Sequence, residues 1–335
     1  MARRRQVKFF GDGVLVVDKP AGPTSHDVVE RLRRRFKPAK LGHTGTLDPF
    51  ATGVLVLAFN RATRMASLLG AGDKLYQGRL SLGAATDTGD PTGQVQAQAP
   101  VPVLSPEQVR AALQALEGPR QQAPPPFSAA KHQGRPLYAY ARQGLAVHKE
   151  PRAITVHQAR LLALEPEAIV LELSCSRGTY VRSLAADLAQ ALGTVGHLQA
   201  LRRLASAPFS AGEAVSLEQA LALDPAELAQ RLIGLDAALE RCGLSAVVLE
   251  DEQVWQLRQG RILPREALLA GAVEGAPARG PFRVLDQQGQ LVAVLRWLEP
   301  GQRLPGRDYE NVRVFPEQPE GLAVEETSAS AGLAE

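Results

Sequence analysis

The chain has 335 residues, 45% of them hydrophobic and 22% charged, which is enough apolar material for one large domain and a small one. No apolar run approaches the roughly 18 residues that a membrane-spanning helix needs, and no apolar segment follows the Arg-rich start, so we expect neither a membrane protein nor a signal peptide. The two cysteines, Cys175 and Cys242, lie far apart, which favours a reducing cytoplasm over a disulfide framework.

Charge is distributed unevenly along the chain. The formal net charge is +3, and residues 317–335 carry five Glu and no basic residue. Six basic residues lie within ten positions ahead of a glycine-rich loop: Arg31, Arg33, Arg34, Arg35, Lys37 and Lys40. Such a cluster favours a polyanionic partner such as nucleic acid, and the alternative is a solvated helix face.

Predicted strands and helices alternate over most of the chain. Strands are predicted at 14–17, 54–59, 75–82, 154–165 and 168–174, and helices at 24–36, 62–69, 105–116 and 178–192. This alternation predicts a mixed α/β or α+β main domain. Two short helical patterns, 216–223 and 224–232, lead to a segment between 247 and 315 in which short strands dominate, so we expect a compact β-rich module there.

The run from Gly42 to Gly53 combines three glycines, one histidine, three threonines and one aspartate. Pro49 follows Asp48 directly and therefore biases Asp48 away from helical backbone. We expect one carboxylate held on a loop at the end of a strand, where chemistry is commonly found. A plain structural turn is the alternative.

Residues 121–150 form a proline-rich stretch in which basic residues and tyrosines are interleaved. This composition favours an insertion that grips RNA, and a plain surface excursion is the alternative. The six histidines show no metal-ligand spacing, and the chain has neither a phosphate loop nor a dinucleotide fingerprint.

Four motifs, one of them the glycine loop described above, are typical of loop-type elements. They are Lys19-Pro20 with Thr24-Ser25, the glycine loop with His43 and Asp48, Lys74-Leu75-Tyr76 with Thr86-Asp87-Thr88-Gly89-Asp90, and Cys175 to Arg182 followed by Leu201-Arg202-Arg203. Together with Ser128-Ala129-Ala130-Lys131, and in this order and spacing, they resemble the TruB family of pseudouridine synthases over nearly the whole chain.

The resemblance implies a fold and a division into domains. It implies an α/β (α+β, mixed-sheet) pseudouridine synthase catalytic domain over 1–243, with the RNA-gripping insertion at about 121–150. A small C-terminal β-rich domain similar to the RNA-binding PUA domain is expected over 244–316. The acidic segment 317–335 is expected to be a disordered tail.

The resemblance also implies an activity. The enzyme would isomerise uridine to pseudouridine at position 55 in the T-loop of tRNA after flipping the base out of the loop. It implies no cofactor and no metal. The expected partner is the T-arm stem-loop of tRNA, bound by a cytoplasmic monomer with no obligatory protein partner and no membrane association.

Individual roles follow from the same resemblance. Asp48 would be the nucleophile, and Arg182 would hold it ionised, because burial alone favours the neutral acid. Tyr76 would stack on the flipped base. The pocket and its surroundings would include His43 as an RNA contact, Tyr180 and Leu201 as pocket lining, and Lys19, Pro20, Asp90 and Lys131 as supporting residues. Asp48 has three possible routes: attack on C1′, attack on C6, or promotion of a glycal.

Two other functions are compatible with these motifs. One is a guide-RNA-dependent subunit that modifies ribosomal RNA, which the long insertion argues against. The other is a non-catalytic chaperone that folds tRNA.

Overall fold

The computed structural model describes residues 11–145, 147–273, 279–299 and 307–316. The expected acidic tail, 317–335, lies outside the described residues. The strands are β1 (Gly13–Lys19), β2 (Leu41–His43), β3 (Thr52–Phe59), β4 (Lys74–Leu82), β5 (Ala84–Thr86), β6 (Val95–Gln98), β7 (Gly118–Gln122), β8 (Lys131–His132), β9 (Arg135–Pro136), β10 (Arg152–Glu165), β11 (Ala168–Cys175), β12 (Gly196–Ser206), β13 (Phe209–Ser210), β14 (Val215–Ser216), β15 (Ile233–Gly234), β16 (Ala246–Val248), β17 (Pro281–Leu285), β18 (Leu291–Trp297) and β19 (Tyr309–Val314).

The α-helices are α1 (Ser25–Phe36), α2 (Ala66–Leu69), α3 (Pro106–Gln114), α4 (Leu137–Ala141), α5 (Val181–Ala191), α6 (Leu217–Ala222), α7 (Pro225–Arg231), α8 (Leu235–Arg241), α9 (Asp251–Arg258) and α10 (Arg265–Ala270). Short 3-10 helices span Asn60–Met65 and Ala211–Glu213. The first of these replaces the start of the α-helix predicted at 62–69.

A mixed sheet of eleven strands organises most of the described residues. Its main path runs β14-β1-β3-β12-β4-β11-β10-β7, and off this path β2 pairs with β3, β13 with β12 and β15 with β1. The pairs β1–β14 and β3–β12 are parallel, and β12 runs antiparallel to β4. Helices α1, α3 and α5 pack on the sheet through one large apolar cluster. The predicted mixed α/β fold is confirmed.

The start of α1 follows from local sequence chemistry. The Thr24 hydroxyl accepts a hydrogen bond from the Asp27 N–H at 3.0 Å, and the Asp27 carboxylate accepts one from the Thr24 N–H at 2.9 Å. This reciprocal capping box satisfies two backbone donors that the first helical turn leaves open. The apolar stripe of α1, which includes Val28 and Leu32, is fully buried, so the predicted helix is confirmed.

The prediction for Leu201-Arg202-Arg203 was wrong, because these residues belong to the central strand β12 and not to a loop-type element. Arginines at consecutive positions interrupt the apolar pattern that indicates a central strand. The structure accommodates both. Arg202 forms an ion pair with Asp18 at 2.6 Å, and the buried Arg203 donates to backbone carbonyls.

A second sheet follows in the order β16-β17-β18-β19. Two helices, α9 and α10, accompany it, whereas the sequence indicated mainly strands. Arg283 fastens this sheet to α8, since its guanidinium lies 2.7 Å from Asp236 and 2.9 Å from Glu240 and donates to the Leu244 carbonyl at 2.9 Å. Phe315 packs into the apolar cluster beneath the main sheet.

We predict that Gly53→Ala destabilises the protein strongly. Gly53 has φ +101, and an added Cβ would lie 2.2 Å from the carbonyl oxygen of Arg203 on the paired strand. Backbone strain and overpacking together should lower the free energy of unfolding by about 3 kcal/mol or more. Gly193→Ala is the matched control, because Gly193 has φ +78 but open space around it; it should cost only about 1 kcal/mol. Equal losses in urea denaturation would contradict the close-approach argument.

Candidate active site

Asp48 and Arg182 form a two-point ion pair at the centre of the candidate site. Arg182 Nε lies 2.8 Å from Asp48 Oδ2, and Arg182 Nη2 donates to Asp48 Oδ1 at 3.2 Å. The Arg182 side chain is 5% exposed and the Asp48 side chain 32% exposed. The guanidinium is therefore enclosed, while part of the carboxylate stays accessible, as a nucleophilic carboxylate requires.

The remaining donors of Arg182 reach two other segments of the chain. Nη1 donates to the Thr88 carbonyl at 2.6 Å, and Nη2 donates to the Phe127 carbonyl at 2.8 Å. Asp90 Oδ2 lies 3.8 Å from Nη1. Arg182 lies in the first turn of α5. The loop between β2 and β3 that carries Asp48 (44–51, the aspartate loop), the turn after β5 and the insertion therefore meet at one guanidinium.

Asp90 is buried and held by its own turn. Its Oδ1 accepts hydrogen bonds from the Thr88 hydroxyl at 2.7 Å, from the Thr92 hydroxyl at 2.6 Å and from the Thr92 N–H at 3.0 Å. Its other oxygen faces Arg182. Asp90 thus lies next to the ion pair, where the expected supporting role requires it.

Burial raises the pKa of Asp48 above the usual value of an aspartate. The charge of Arg182 is the strongest opposing influence, Asp90 adds to the increase, and Lys19 opposes it. The cation beside Asp48 therefore offsets only part of the cost of burying the carboxylate.

Lys19 supports the aspartate loop through backbone carbonyls. Its side chain is fully buried, and Nζ donates to the carbonyls of Pro20 at 2.8 Å, Pro49 at 3.2 Å and Ala51 at 2.8 Å. Burial lowers the pKa of Lys19 to about 8, against the attraction of Asp48. The ammonium thus fixes the chain immediately after Asp48, and Pro20 takes part only through its carbonyl.

Ser25 holds the residue that precedes Asp48. The Ser25 hydroxyl donates to the Leu47 carbonyl at 3.1 Å and accepts from the Leu47 N–H at 2.8 Å. The Gly22 N–H donates to the Pro49 carbonyl at 2.8 Å. Both flanks of Asp48 are therefore bound to neighbouring elements, and the carboxylate projects from an immobilised backbone.

Tyr76 and Leu201 belong to the same buried apolar cluster. Tyr76 lies on β4, opposite Arg203 of β12, and Leu201 lies opposite Gly78. Burial raises the pKa of the Tyr76 hydroxyl, and the charge of Asp48 contributes to the increase. The Tyr76 phenol therefore lies within electrostatic reach of Asp48, and Leu201 packs in the same apolar cluster as Tyr76.

His43 and Tyr180 lie at the ends of elements around the site. His43 ends β2, and its Nδ1 is buried without a hydrogen-bond partner among the described residues. Burial lowers the pKa of His43, which favours the neutral form of its ring. Tyr180 precedes α5; its N–H donates to the side chain of Gln122 at 2.7 Å, and Arg152 lies over its ring at 5.1 Å.

Lys131 is not brought to the ion pair. It lies in the two-residue strand β8 with an exposed side chain, and its carbonyl accepts a hydrogen bond from Lys149 Nζ at 2.8 Å. Within the described residues no hydrogen bond or ion pair joins it to Asp48 or Arg182.

Two residues around the loop have positions that sequence reasoning did not anticipate. Ser25 was named only as part of a motif with Thr24 and was given no role, although a buried hydroxyl just inside a helix start indicates a partner elsewhere in the fold. Arg203 was noted only within a motif. Arg203 is buried, at 2% exposure, and this burial can be recognised only when the central position of β12 in the sheet is known.

The described residues contain no group of three or more His, Cys, Asp or Glu side chains arranged to hold a metal ion. In the same part of the chain, no helix is long and apolar enough to cross a membrane.

Comparison with known proteins places these motifs in one family. Residues 33–181 match the model of the TruB family pseudouridylate synthase N-terminal domain, and residues 182–240 match that of the tRNA pseudouridylate synthase B C-terminal domain. The boundary between the two models falls in the first turn of α5. The second matched region nevertheless supplies β12, which pairs with β3 and β4 of the first.

Several relatives bear the name tRNA pseudouridine synthase B. The protein of Dechloromonas aromatica is 45% identical over 78% of this chain and 86% of its own length. That of Geobacter sulfurreducens is 44% identical over 84% and 92%, and that of Syntrophotalea carbinolica is 40% identical over 91% and 98%.

Among solved structures, a chain in the crystal structure of a Cbf5-Nop10-Gar1 complex has a TM-score of 0.65 and 24% identity, covering 91% of this chain and 84% of that one. This likeness shows the fold alone. With two family models matched over residues 33–240 and full-length relatives at 40–45% identity, the chain belongs to the TruB family of pseudouridine synthases.

Proposed function

We propose that this chain isomerises uridine to pseudouridine at position 55 in the T-loop of tRNA. Asp48 is the nucleophile, Arg182 keeps it ionised and oriented, and Tyr76 receives the flipped base. The observation that carries the proposal is the two-point Asp48–Arg182 pair, whose carboxylate is partly accessible while its guanidinium is enclosed. The names of the relatives support tRNA as the substrate.

A uridine in a folded T-loop is stacked, so it has to leave the stack before a protein carboxylate can reach it. Tyr76 and Leu201 offer a flat and an aliphatic surface within one apolar cluster, which is the environment that a flipped pyrimidine needs. Tyr180 lies two residues before Arg182 in the chain and completes the lining. His43, whose neutral form burial favours, contacts the RNA at the edge of the site.

The finer organisation is part of the same proposal. Residues 1–243 form the catalytic domain, in which 121–150 grips RNA, and 244–316 form a PUA-like RNA-binding domain. An exposed Trp255 with Arg261 over its ring at 4.8 Å supports RNA binding by the second. The protein acts on the T-arm as a cytoplasmic monomer, and its two free cysteines fit a reducing compartment.

We expect Asp48→Asn to abolish turnover while RNA binding is largely kept. The amide has nearly the shape of the carboxylate but cannot act as a nucleophile, so the single-turnover rate should fall by at least about 10³-fold. The assay uses an unmodified tRNA transcript carrying U55, without guide RNA or other proteins, and pseudouridine is quantified by mass spectrometry.

Asp187→Asn is the matched control, because Asp187 lies on the same helix as Arg182 and pairs with Arg120 at 3.7 Å. It should turn over like the wild type. Turnover that survives in Asp48→Asn would rule out Asp48 as the nucleophile. Absence of pseudouridine with the wild-type protein alone would defeat the proposed function.

The acidic limb of the pH–rate profile should move when Arg182 is replaced. Turnover needs ionised Asp48, whose pKa burial already raises and Arg182 lowers. Removing the cation in Arg182→Met raises that pKa further, so activity should be lost at a higher pH than in the wild type. Arg182→Lys should give a smaller shift, because it keeps the charge but not the two-point contact.

Single-turnover rates across the pH range of the folded protein measure this effect. Arg120→Met is the control, since it removes the cation beside Asp187 and should leave the acidic limb in place. A lower plateau with an unmoved limb in Arg182→Met would show that Arg182 does not control the ionisation of Asp48.

RNA binding should weaken steeply with salt, because phosphate contacts release counterions. Arg31 and Arg34 are exposed on α1, and no hydrogen bond or ion pair of either side chain occurs within the described residues. Replacing both with Gln should reduce the slope of log K against log salt by about 2. Replacing Arg110 and Arg160, which already pair with Glu107 and Glu172, should change it less. Equal effects would contradict a role for α1.

A further inference from the structure

Helix α5 carries Arg182 but does not cap its own first turn. Its N-cap residue, Tyr180, offers no side-chain hydrogen bond to the helix, and no acidic residue lies in the first turn. By contrast, α1, α3, α6 and α7 each begin with a capping box formed by their own side chains. The start of α5 therefore depends on contacts from elsewhere in the chain.

Gln122, the last residue of β7, supplies such contacts. Its Oε1 accepts a hydrogen bond from the Tyr180 N–H at 2.7 Å, and its Nε2 donates to the Tyr180 carbonyl at 3.1 Å. In a capping box the N–H of the N-cap residue is bound by a side chain of the same helix. Here the acceptor comes from a strand 58 residues earlier in the chain, and Gln122 is only 7% exposed, so the amide is largely shielded from water.

The strand paired with β7 holds the same segment. Arg152 of β10 lies directly opposite Gln122 in the antiparallel register, and opposed residues project to the same face of a sheet. The Arg152 guanidinium donates to the Gly178 carbonyl and lies over the Tyr180 ring at 5.1 Å. Two neighbouring strands thus fix residues 178–180, which directly precede α5.

A short proline-rich run connects Gln122 to the guanidinium of Arg182. Residues 124–126 are three consecutive prolines, whose rings fix the backbone angle φ, and Phe127 follows them. The Phe127 carbonyl accepts a hydrogen bond from Arg182 Nη2 at 2.8 Å. One end of this run therefore holds α5 at its N-cap, and the other end holds the side chain of Arg182.

We infer that Gln122 is a positioning residue, whose amide fixes the first turn of α5 and thereby holds Arg182 in its two-point contact with Asp48. Arg182 is the second residue of that helix, so a shift of the first turn moves the guanidinium. The carboxylate would not follow, because Lys19 and Ser25 hold its loop independently. The inference rests on the proposed function, in which the contact keeps the nucleophile ionised.

Gln122→Met tests this role, because methionine is similar in length and volume but can form neither hydrogen bond with Tyr180. We expect the acidic limb of the single-turnover pH–rate profile on U55 tRNA to move to higher pH by about half a unit or more, since a displaced Arg182 offsets the burial of Asp48 less well. The plateau rate should fall by about 10-fold, with tRNA affinity near wild type. The substitution leaves Lys19 and Asp90, the other charged groups that act on Asp48, unchanged.

Gln190→Met is the matched control. Gln190 is an exposed glutamine near the opposite end of α5, and its replacement should leave the limb, the plateau and the affinity near wild type. Gln122→Asn is a second variant, measured also if Gln122→Met does not fold; it withdraws the amide by one methylene and should move the limb in the same direction. An unmoved acidic limb in a folded Gln122 variant, or a loss confined to tRNA affinity, would overturn the inference.

A spectroscopic measurement is independent of turnover. Arg182 Nε lies 2.8 Å from Asp48 Oδ2, so its N–H resonance in protein labelled with ¹⁵N-arginine reports on the contact, and Arg182→Lys identifies that resonance. Gln122→Met should shift it and Gln190→Met should not. An unmoved resonance would refute the role of Gln122. If the wild type makes no pseudouridine, the proposed function fails, while the resonance still decides whether Gln122 holds Arg182 against Asp48.

Discussion

A carboxylate enclosed by protein keeps its charge only beside a fixed cation, and the contact between Asp48 and Arg182 meets this constraint. Burial raises the pKa of Asp48, and Arg182 is the largest influence against that rise. The same guanidinium also binds the carbonyls of Thr88 and Phe127. The influence that lowers the pKa of Asp48 therefore depends on the assembly of the aspartate loop, the turn after β5 and the insertion around one side chain.

The aspartate loop forms neither a helix nor a strand. Its position comes from outside, through Lys19 of β1, Ser25 of α1 and Arg203 of β12, which bind its backbone. Two of these are buried cations that bind carbonyls rather than carboxylates. Carbonyl dipoles satisfy the donors without placing further negative charge near Asp48, where a third carboxylate would raise its pKa again.

The sequence was sufficient wherever the determining chemistry is local. A cap residue at the start of an apolar helical pattern predicted a helix over 24–36, which matches α1. The pairing of Asp48 with Arg182 was expected from the family resemblance and not from local chemistry, and the structure brings the two side chains together. Sequence reasoning failed where the determinant is a distant partner. The strand β12 escaped detection because Arg202 and Arg203 look solvent-directed until Asp18 and the aspartate loop are placed beside them. The direction in which the pKa of Asp48 shifts could not be predicted either, because it depends on whether the effect of burial exceeds the effect of the Arg182 charge.

The charges around the site affect both the folding stability of the protein and the binding of RNA. Lys19, Arg182 and Arg203 are enclosed cations around the aspartate loop, and Arg182 lies beside the two carboxylates of Asp48 and Asp90. An excess of enclosed positive charge disfavours the folded protein on its own. A bound RNA brings phosphates into the same field, so the arrangement that costs stability without substrate strengthens the complex with it. Arginine, whose charge and fork of donors are permanent, suits position 182, where a carboxylate needs a fixed cation, whereas Lys19, whose pKa burial lowers, binds carbonyls of the loop.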